Sequence, residues 1–577
     1  MANRIWPVPA PAPRGRRFRP QAEAQTSSTR SSAGMAAGTL ISRLLGLIKG
    51  VLFGVAVISG NSAVGDIFDT SNNLPNIIYL LVAGGVFNAV LIPQIIKASG
   101  QPDRGADFIS RLLTLAVGLL LAATLILTLL AGPLMNLLTD FTDSQLVIAT
   151  AFALFLLPQI FFYGLYSLLG QVLNAHGSFV AYAWAPIVNN VVAIGGLLLF
   201  IWTFGTGKAF PRTVDNWTVG QTWLLAGSAT LGIVIQSFVL LWPLKRLGLG
   251  LRPRFGWRGM GFKATGKIAA WTMGTMVVGN LSFLVIGWVA TSATGAKPDG
   301  TVGGGADIAG PYVLSRATEL YILPHSVIAL SIATVLFTRM SAAAAAGERA
   351  AVRAHLASGL RTMGVATIFG AAALLVLAGP LGMIYSGGVQ STGRHVAITL
   401  GILAVGAPFL SANFMMNRVF YASENARTPF LIQILLVIFG VGTAVLAALL
   451  PAGWIIYGLA TTYTAGNILA VLVTHLFLRS RIGPYGVGQV FMAHVRFLVA
   501  ALGAALAGDA VLLVFGGFSS QGFAWSSIPA ALAVIAVVGP VMALAYFAVL
   551  RLMRVRELAA LTDPLLGALR GRIPGFR

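Results

Sequence analysis

The sequence predicts an all-α integral membrane protein with about fourteen transmembrane helices, arranged as two six-helix lobes and two C-terminal helices. Three observations lead to this fold class. Of the 577 residues, 57% are hydrophobic and only 9% are charged, whereas about 25% of the residues in a typical soluble protein are charged. The mean hydropathy is +0.85. Apolar runs long enough to cross a bilayer recur along the chain, so lipid must be the solvent for most of it.

Fourteen apolar runs of about 20 residues or more, bounded by turn residues or charges, are the predicted spans. In chain order they cover 36–58, 73–98, 108–131, 146–171, 179–204, 218–243, 264–292, 310–339, 358–380, 397–421, 429–450, 453–478, 491–516 and 528–551. Residues 1–35 are rich in Pro, Ala, Ser and Arg, which predicts a disordered basic tail. Residues 552–577 form a second basic tail.

The basic residues orient these spans. With the N-terminus placed in the cytoplasm, 31 of the 38 Lys and Arg fall in cytoplasmic segments and three lie within spans. Four fall in outer loops, namely Lys208, Arg212, Lys297 and Arg394. An excess of basic residues in cytoplasmic loops is the usual topology signal of membrane proteins. One missed span would invert everything after it and remove this pattern. The sequence therefore predicts a multi-pass protein with both termini in the cytoplasm.

An internal repeat divides the chain. Leu74-Pro75 in the second span corresponds to Leu323-Pro324 in the eighth, at an offset of 249. The ends of the fourth and tenth spans correspond at an offset of 247, and the sixth and twelfth spans both end in basic residues followed by Gly. We therefore expect a first lobe at 36–243, a second lobe at 264–478 and an added helix pair at 491–551. An even number of spans in each lobe makes the repeat parallel, a common plan for transporters with alternating access.

Composition excludes several classes of function. The chain has no cysteine, which excludes disulfides, thiolate metal sites and cysteine nucleophiles. It has no Walker A motif and no His and carboxylate cluster with metal-ligand spacing, so we expect no cofactor, no metal and no enzymatic activity. The net charge of +22 is explained by the basic residues that orient the spans. We therefore expect no nucleic-acid binding. Transport energy would come from a gradient or the membrane potential.

Charges inside the spans are the first candidates for a substrate site, because a charge near the bilayer centre is costly. Arg43 and Lys49 lie in the first span, beside a stripe formed by Gly46, Gly50 and Gly54. Lys49 is deep enough to indicate a cavity. Arg43 either lines the same cavity or extends to the cytoplasmic interface.

The second span adds polar groups at its outer end. Asp66, Asp69 and Asn73 are spaced to form one helical face, either as an ordinary solvated helix start or as part of a site. Asn76, one residue past Pro75, lies deeper and either bonds backbone groups that the proline frees or faces the cleft.

The eighth span carries an ionic pair. Arg316 and Glu319 are three residues apart and can pair with each other, either as a self-neutralising pair near the surface or as a pair lining the cleft above a kink at Pro324. Asp509 lies outside the repeated core, and we interpret it as a packing residue.

Several short motifs resemble the MurJ/MviN family. They are Ile41-Ser42-Arg43-Leu44-Leu45-Gly46 in the first span, Leu74-Pro75-Asn76 followed by Gly85-Val86-Phe87-Asn88-Ala89 and Ile92-Pro93 in the second, and Glu319-Leu320-Tyr321-Ile322-Leu323-Pro324 in the eighth. Asp66 stands where the family has an acidic residue before Leu-Pro-Asn. Together with the topology, the resemblance covers essentially the whole chain after residue 35. It implies the fold of the multidrug/oligosaccharidyl-lipid/polysaccharide exporters and a location in the bacterial plasma membrane.

The resemblance also implies a function and a substrate. The family moves lipid II, the undecaprenyl-pyrophosphate-linked disaccharide-pentapeptide used for peptidoglycan, from the inner to the outer leaflet. A pyrophosphate favours Arg or Lys in a water-filled cleft, and Arg43 and Lys49 match cationic positions of the family. The expected substrate-binding residues are Arg43, Lys49, Asp66, Asn76, Arg316 and Glu319.

Two departures from the family pattern limit what can be transferred. Tyr79 and Leu80 stand where the family has a pair of Arg, and Glu319 replaces a further Arg, although Arg316 lies one turn earlier. Two other functions stay open. The protein could export polysaccharide-linked lipids or drugs with the same fold, or act as a non-transporting scaffold for cell-wall synthesis whose basic segments dock proteins or anionic lipids. The expected partners are lipid II, membrane lipids and cell-wall synthesis proteins.

Overall fold

A computed structural model describes residues 21–86, 95, 98, 102–256, 262–299, 307–425 and 427–558. The regular elements of this part of the chain are all helices, which confirms the predicted fold class. The long helices are α1 (Gln21–Val57), α2 (Val64–Val86), α3 (Ala106–Leu129), α4 (Asp143–Ala175, interrupted at 157–158), α5 (Phe179–Phe204), α6 (Val219–Arg246, interrupted at 240), α7 (Phe262–Gly295), α8 (Pro311–Ala345), α9 (Arg349–Val376), α10 (Gln390–Ala422), α11 (Arg427–Ala448), α12 (Ala452–Ile482), α13 (Val487–Val514) and α14 (Ile528–Leu552).

Thirteen helices within the described ranges are long and apolar enough to cross a membrane. They correspond to thirteen of the fourteen predicted spans. The remaining span, predicted at 73–98, corresponds to α2, and most of its second half lies outside the described residues. The tails at 1–20 and 559–577 and the motif residues at 87–89 and 92–93 lie outside them as well.

Two helices begin earlier than the sequence pattern predicts. α1 begins at Gln21, within the segment predicted as a disordered tail, because Pro20 is the last proline before a stretch containing good helix formers such as Ala, Gln and Glu. α2 begins at Val64 and not at 73. Its first turns are polar but buried, since Asp66 and Asp69 are 2% and 6% exposed. Because polar residues lower the local hydropathy, a prediction based on hydropathy assigns these turns to a loop.

Separate sets of buried apolar side chains form the two lobes. The clusters of the first lobe, α1–α6, draw their buried members from residues 56–249. The clusters of the second lobe, α7–α14, draw theirs from residues 286–555. Within the described ranges, none of these clusters shares a buried member with the other lobe. Burial in separate cores allows each lobe to move as a unit.

The added helices α13 and α14 belong to the second lobe. Met542 and Val538 of α14 are fully buried in its main cluster, and a Cβ on Gly508 of α13 would lie 2.6 Å from Met542. Tyr546 donates a hydrogen bond from its hydroxyl to the carbonyl of Val365 in α9, at 2.7 Å. These contacts fasten the helix pair to one side of the molecule.

The internal repeat has a structural counterpart in two short helices. Ala131–Leu138 follows α3, and Ala378–Tyr385 follows α9. Both begin Ala-Gly-Pro-Leu, at an offset of 247. Proline suits the first turn of a helix because its missing N–H would have no partner there. The matching order of long and short helices supports the parallel relation between the lobes.

Candidate functional site

A cavity of about 350 Å³ lies between the two lobes. Its lining comes from α1, α2, α4, α5 and α6 of the first lobe and from α8 of the second. Four of the six predicted site residues line this cavity, namely Lys49, Asn76, Arg316 and Glu319. The structure therefore brings together residues that are as much as 270 positions apart, from Lys49 to Glu319.

Arg316 connects the two lobes. Its Nη2 lies 3.0 Å from Oδ1 of Asp69 on α2, and its Nη1 lies 2.7 Å from Oε2 of Glu319. The other oxygen of Asp69 accepts hydrogen bonds from Ser315 at 2.5 Å and from Asn73 at 3.0 Å. The predicted Arg316–Glu319 pair is present and lines the cavity. The link to Asp69 ties α8 of the second lobe to α2 of the first.

Lys49 has a different environment. It lines the cavity, but among the described residues it makes neither an ion pair nor a hydrogen bond within the usual distances. Its ammonium group is a compact positive charge with three donors. In a membrane-embedded cavity such a group requires water or an anionic ligand.

The glycine stripe of α1 sets the approach of the second lobe beside Lys49. A Cβ on Gly50 would lie 2.9 Å from the ring of Tyr385, and a Cβ on Gly54 would lie 2.4 Å from the carbonyl oxygen of Tyr385. Bare backbone of α1 therefore packs on the end of the short helix that contains Tyr385. Gly46 has no neighbouring atom within 4 Å of its Cβ position and lines the cavity instead.

Arg43 lies apart from the cavity lining. Its Nη1 donates a hydrogen bond to the hydroxyl of Ser326 at 2.5 Å. Ser326 belongs to a π-helical turn of α8 that directly follows Pro324. Because residues six positions apart differ by about 120° around a helix, Arg43 and Lys49 face different surroundings. Arg43 joins α1 to α8.

Asp66 also lies apart from the cavity lining, within a buried contact between the lobes. Its Oδ2 lies 2.7 Å from Nζ of Lys297, and the two side chains are 3% and 5% exposed. Oδ1 of Asp66 accepts a hydrogen bond from the backbone N–H of Tyr312 at 2.9 Å, in the first turn of α8. A Cβ on Gly310 would lie 2.0 Å from Oδ2 of Asp66, so this close approach requires glycine.

Further hydrogen bonds join the lobes around Asp66. We call this region the sealed end; it is where α1 and α7 end and where α2 and α8 begin. Gln145 donates to the carbonyl of Thr294 and to Asp299, both at 3.2 Å, and Ser144 donates to the same carboxylate. The backbone N–H of Ile308 donates to Asn61 at 3.0 Å. At this end, the lobes are locked together.

An ionic cluster lies on the second lobe near the sealed end. Nε2 of His395 lies 3.2 Å from Oδ2 of Asp307, and Nδ1 of His395 lies 2.5 Å from the hydroxyl of Tyr457. The hydrogen bond from His395 holds the pKa of Asp307 below its usual value, and the positive charge of Lys297 acts in the same direction. Within the described residues, no group of three His, Cys, Asp or Glu side chains could hold a metal ion.

The remaining polar lining is uncharged and belongs to the first lobe. It consists of Asn72, Asn73, Asn76, Gln159, Tyr163, Asn189 and Ser228. Sequence reasoning singled out Asn76 but missed Gln159, Tyr163 and Asn189, because isolated uncharged polar residues in apolar helices are also common in packing contacts. It also assigned Lys297 to an outer loop, since a lysine between two spans gives no sign that it is buried.

Comparison with known proteins assigns the chain to a family. The family model described as "Lipid II flippase MurJ" matches residues 55–533. A probable lipid II flippase MurJ of Vibrio cholerae is 27% identical over 420 residues, which cover 68% of this chain and 73% of the relative. A lipid II flippase MurJ of Burkholderia cenocepacia is 26% identical over 492 residues, which cover 81% of this chain and 86% of the relative.

Solved structures share the fold. A lipid II flippase MurJ in an inward closed conformation matches with a TM-score of 0.68 and 18% identity, over 90% of this chain and 99% of the other. An inward-facing multidrug resistance transporter of the MATE family matches with a TM-score of 0.61 and 16% identity, over 77% of this chain and 95% of the other. Because the family model spans most of the residues, from the end of α1 into α14, the chain belongs to the MurJ lipid II flippase family.

Proposed function

We propose that this protein moves the head group of lipid II from the inner to the outer leaflet by alternating access between its two lobes. Membership of the family supports the substrate. The separate cores of the lobes and the cavity between them support the mechanism. The excess of basic residues at the opposite end supports an orientation with both termini in the cytoplasm and the sealed end outside. In this orientation, the structure corresponds to a state closed toward the outside.

The observation that carries the proposal is the position of Lys49. It is a cavity cation that makes no ion pair with the described residues, at the boundary between the lobes. The pyrophosphate of lipid II supplies the anionic oxygens that such an ammonium group binds through charge-assisted hydrogen bonds. A scaffold without a transport function would gain nothing from a charge held this deep in the membrane.

Arg316 provides the second cation, and its use is coupled to the lobes. In this state its guanidinium is neutralised by Asp69 and Glu319. A pyrophosphate that binds Arg316 competes with Asp69, which is the carboxylate of the opposite lobe. Binding the head group therefore weakens a contact between the lobes and favours their separation at the sealed end. The undecaprenyl chain stays in lipid while the head group crosses.

Flipping of labelled lipid II in proteoliposomes tests this function. We expect the wild-type protein to move lipid II and to leave a lipid-linked oligosaccharide without peptide where it is. Lys49→Ala should reduce the rate by about tenfold or more, the loss of roughly one charge-assisted contact. Lys49→Arg should retain part of the rate, and Lys208→Ala, at an exposed loop lysine, should retain all of it.

The other outcomes separate the competing functions. Movement of the oligosaccharide lipid in preference to lipid II would favour a polysaccharide exporter of the same fold. The similarity to a MATE transporter shows that this fold also occurs in exporters of other substrates. Movement of neither lipid by folded protein under a membrane potential would contradict transport and favour the scaffold. Full activity of Lys49→Ala would contradict the role of Lys49 but leave the substrate assignment intact.

A further inference from the structure

The cavity has two chemically different walls. The ionic groups are Lys49 from α1, Asp69 from α2, and Arg316 and Glu319 from α8. The lining that α4, α5, α6 and the part of α2 beyond Asp69 contribute has no charged side chain among the described residues, but it does contain carboxamide, phenol and hydroxyl groups. Lipid II has a charged pyrophosphate and a large sugar–peptide part. The ionic lining suits the pyrophosphate, so the uncharged lining is available for the sugar–peptide part.

Three asparagines leave their carboxamides available to the cavity. Asn72 and Asn76 are four residues apart on α2 and therefore share a helical face. Asn189 on α5 lines the same cavity. None of the three makes a side-chain hydrogen bond with another described residue at the usual distances. A carboxamide without partners is unfavourable in a membrane protein unless water or a ligand satisfies it.

The backbone around Asn189 makes room for its side chain. A Cβ on Gly232 of α6 would lie 2.4 Å from Oδ1 of Asn189 and 3.0 Å from its carbonyl oxygen. The neighbouring Asn190 serves packing instead, because its Nδ2 donates to the carbonyl of Ser42 on α1 at 2.8 Å. Of these consecutive asparagines, one fastens α5 to α1 and the other is left for the cavity.

Gln159 is oriented by a relay of hydrogen bonds. Its Nε2 donates to the hydroxyl of Thr230 at 3.0 Å, and that hydroxyl donates to the carbonyl of Phe155 at 2.7 Å. The side chain is 1% exposed, yet its Oε1 accepts no hydrogen bond from the described residues. The relay therefore fixes the amide and leaves an acceptor for the cavity. The aromatic ring of Tyr163, one turn further along α4, adds an apolar surface with a polar tip.

We propose that Asn72, Asn76, Gln159 and Asn189 form a carboxamide wall that binds the hydroxyl and amide groups of an N-acetylated sugar–peptide head group. This inference rests on the proposed function. A carboxamide offers two donors and an acceptor, which is the pattern that sugar hydroxyls and N-acetyl groups require. Being uncharged, the wall selects among pyrophosphate lipids without strengthening the binding of every anion. Selectivity arises because a lipid without sugars leaves these groups unpaired.

Binding measurements on the full chain in nanodiscs test the carboxamide wall. The probes are lipid II and undecaprenyl pyrophosphate, which has the same anion but no sugar or peptide. Asn189→Leu combined with Asn76→Leu should weaken lipid II binding by about tenfold or more and change undecaprenyl pyrophosphate binding by less than about twofold. Lys49→Ala should weaken both. Thr203→Ala, at an exposed position near the end of α5 and outside the cavity lining, with a hydrogen bond to its own helix, should change neither.

A second variant guards against loss of folding. Asn189→Ala removes the carboxamide without adding bulk, and its thermal unfolding should match that of the wild type. Equal weakening of both lipids, or of neither, in folded Asn189→Ala and double-leucine variants would overturn the carboxamide wall. Wild-type protein that binds undecaprenyl pyrophosphate and lipid II with equal affinity would overturn it as well. If folded wild-type protein binds and flips no lipid II, the proposed function itself fails, which is a distinct result.

Discussion

The two ends of the contact between the lobes are held in different ways. At the sealed end, Asp66 forms a buried ion pair with Lys297 and accepts a hydrogen bond from the first turn of α8. Asp299 accepts a further hydrogen bond from the first lobe. Beyond the cavity, toward the opposite end, the lobes are joined by the hydrogen bond between Arg43 and Ser326. The cavity lies between these regions.

This difference shows where the energy of the conformational change is concentrated. Opening the sealed end breaks a buried ion pair whose partners then need water or new partners. Closing the opposite end brings α1 and α8 together near a π-helical turn, which is a common site of local adjustment in helices. We therefore expect substitutions at the sealed end to shift the balance between states far more than substitutions at the opposite end.

The largest expected effect comes from Lys297→Met, which leaves the carboxylate of Asp66 buried and unpaired. It should destabilise the closed state by about 3–5 kcal/mol. The chain has no native cysteine, so Ala229→Cys in the cavity lining can report opening through a membrane-impermeant maleimide added outside. Labelling should accelerate by at least about tenfold. Adding Asp66→Asn removes the unpaired charge and should restore most of the protection; unchanged labelling in Lys297→Met would contradict the sealed end.

A smaller effect is expected from Gly310→Ala. The new Cβ would lie within 2.5 Å of three atoms of the Asp66 carboxylate, and overpacking of this kind costs about 1–3 kcal/mol. The same maleimide assay should show faster labelling than in wild type, but slower than in Lys297→Met. Gly442→Ala is the control, because that glycine has no atom within 4 Å of its Cβ position. Equal labelling of the two glycine variants would argue against the close approach at Gly310.

At the opposite end, Ser326→Ala removes the acceptor for Arg43. We expect a loss of about 0.5–1.5 kcal/mol in stability, seen as a small decrease of the thermal unfolding temperature, and no change in labelling from outside. Ser331→Ala, whose hydroxyl bonds to its own helix at 3.0 Å, should be neutral. If Ser326→Ala exposed the cavity to the outside, the two ends would not be independent.

The smallest effect is expected from Asp307, whose pKa is lowered mainly by the hydrogen bond from His395. A carboxyl group with a lowered pKa stabilises the folded state above its unfolded pKa of about 3.8, and this contribution is lost as the pH falls through the folded value. Because Asp307 is 43% exposed, the contribution should stay below about 1 kcal/mol. Asp307→Asn should therefore lower the unfolding temperature slightly at pH 7, and the difference from wild type should shrink as the pH falls below about 3.8 and vanish below the folded pKa of Asp307. A difference that grew on acidification would contradict this assignment.

Local patterns were sufficient for much of the fold and for part of the site. The spans follow from hydropathy, and the Arg316–Glu319 pair follows from a spacing of three residues on one helix. The pairs that join the lobes could not be found in this way. Asp66 and Lys297 are 231 positions apart, and Asp69 and Arg316 are 247 apart. Their proximity depends on how two separately folded lobes meet.

The sequence contains a repeated segment that is longer than the Leu-Pro pair shared by the second and eighth spans. The segment Ala-Gly-Pro-Leu occurs at 131–134 and again at 378–381. It begins a short helix at the same place in each lobe. Because neither helix is long enough to span a membrane, a search for apolar runs merges it with the preceding span. The offset of 247 equals that of the fourth and tenth spans.

The attachment of α13 and α14 to the second lobe alone has a consequence for motion in the bilayer. A body that rocks within a lipid film is slowed by viscous drag, which increases with the perimeter that it presents to the lipid. The second lobe carries these two extra helices, so it presents the larger perimeter to the lipid. When the lobes rock against each other, each lobe moves relative to the lipid by a distance inversely proportional to its own drag. The lobe with the smaller drag therefore moves further. The first lobe, with its carboxamide lining, should therefore make the larger excursion relative to the surrounding lipids.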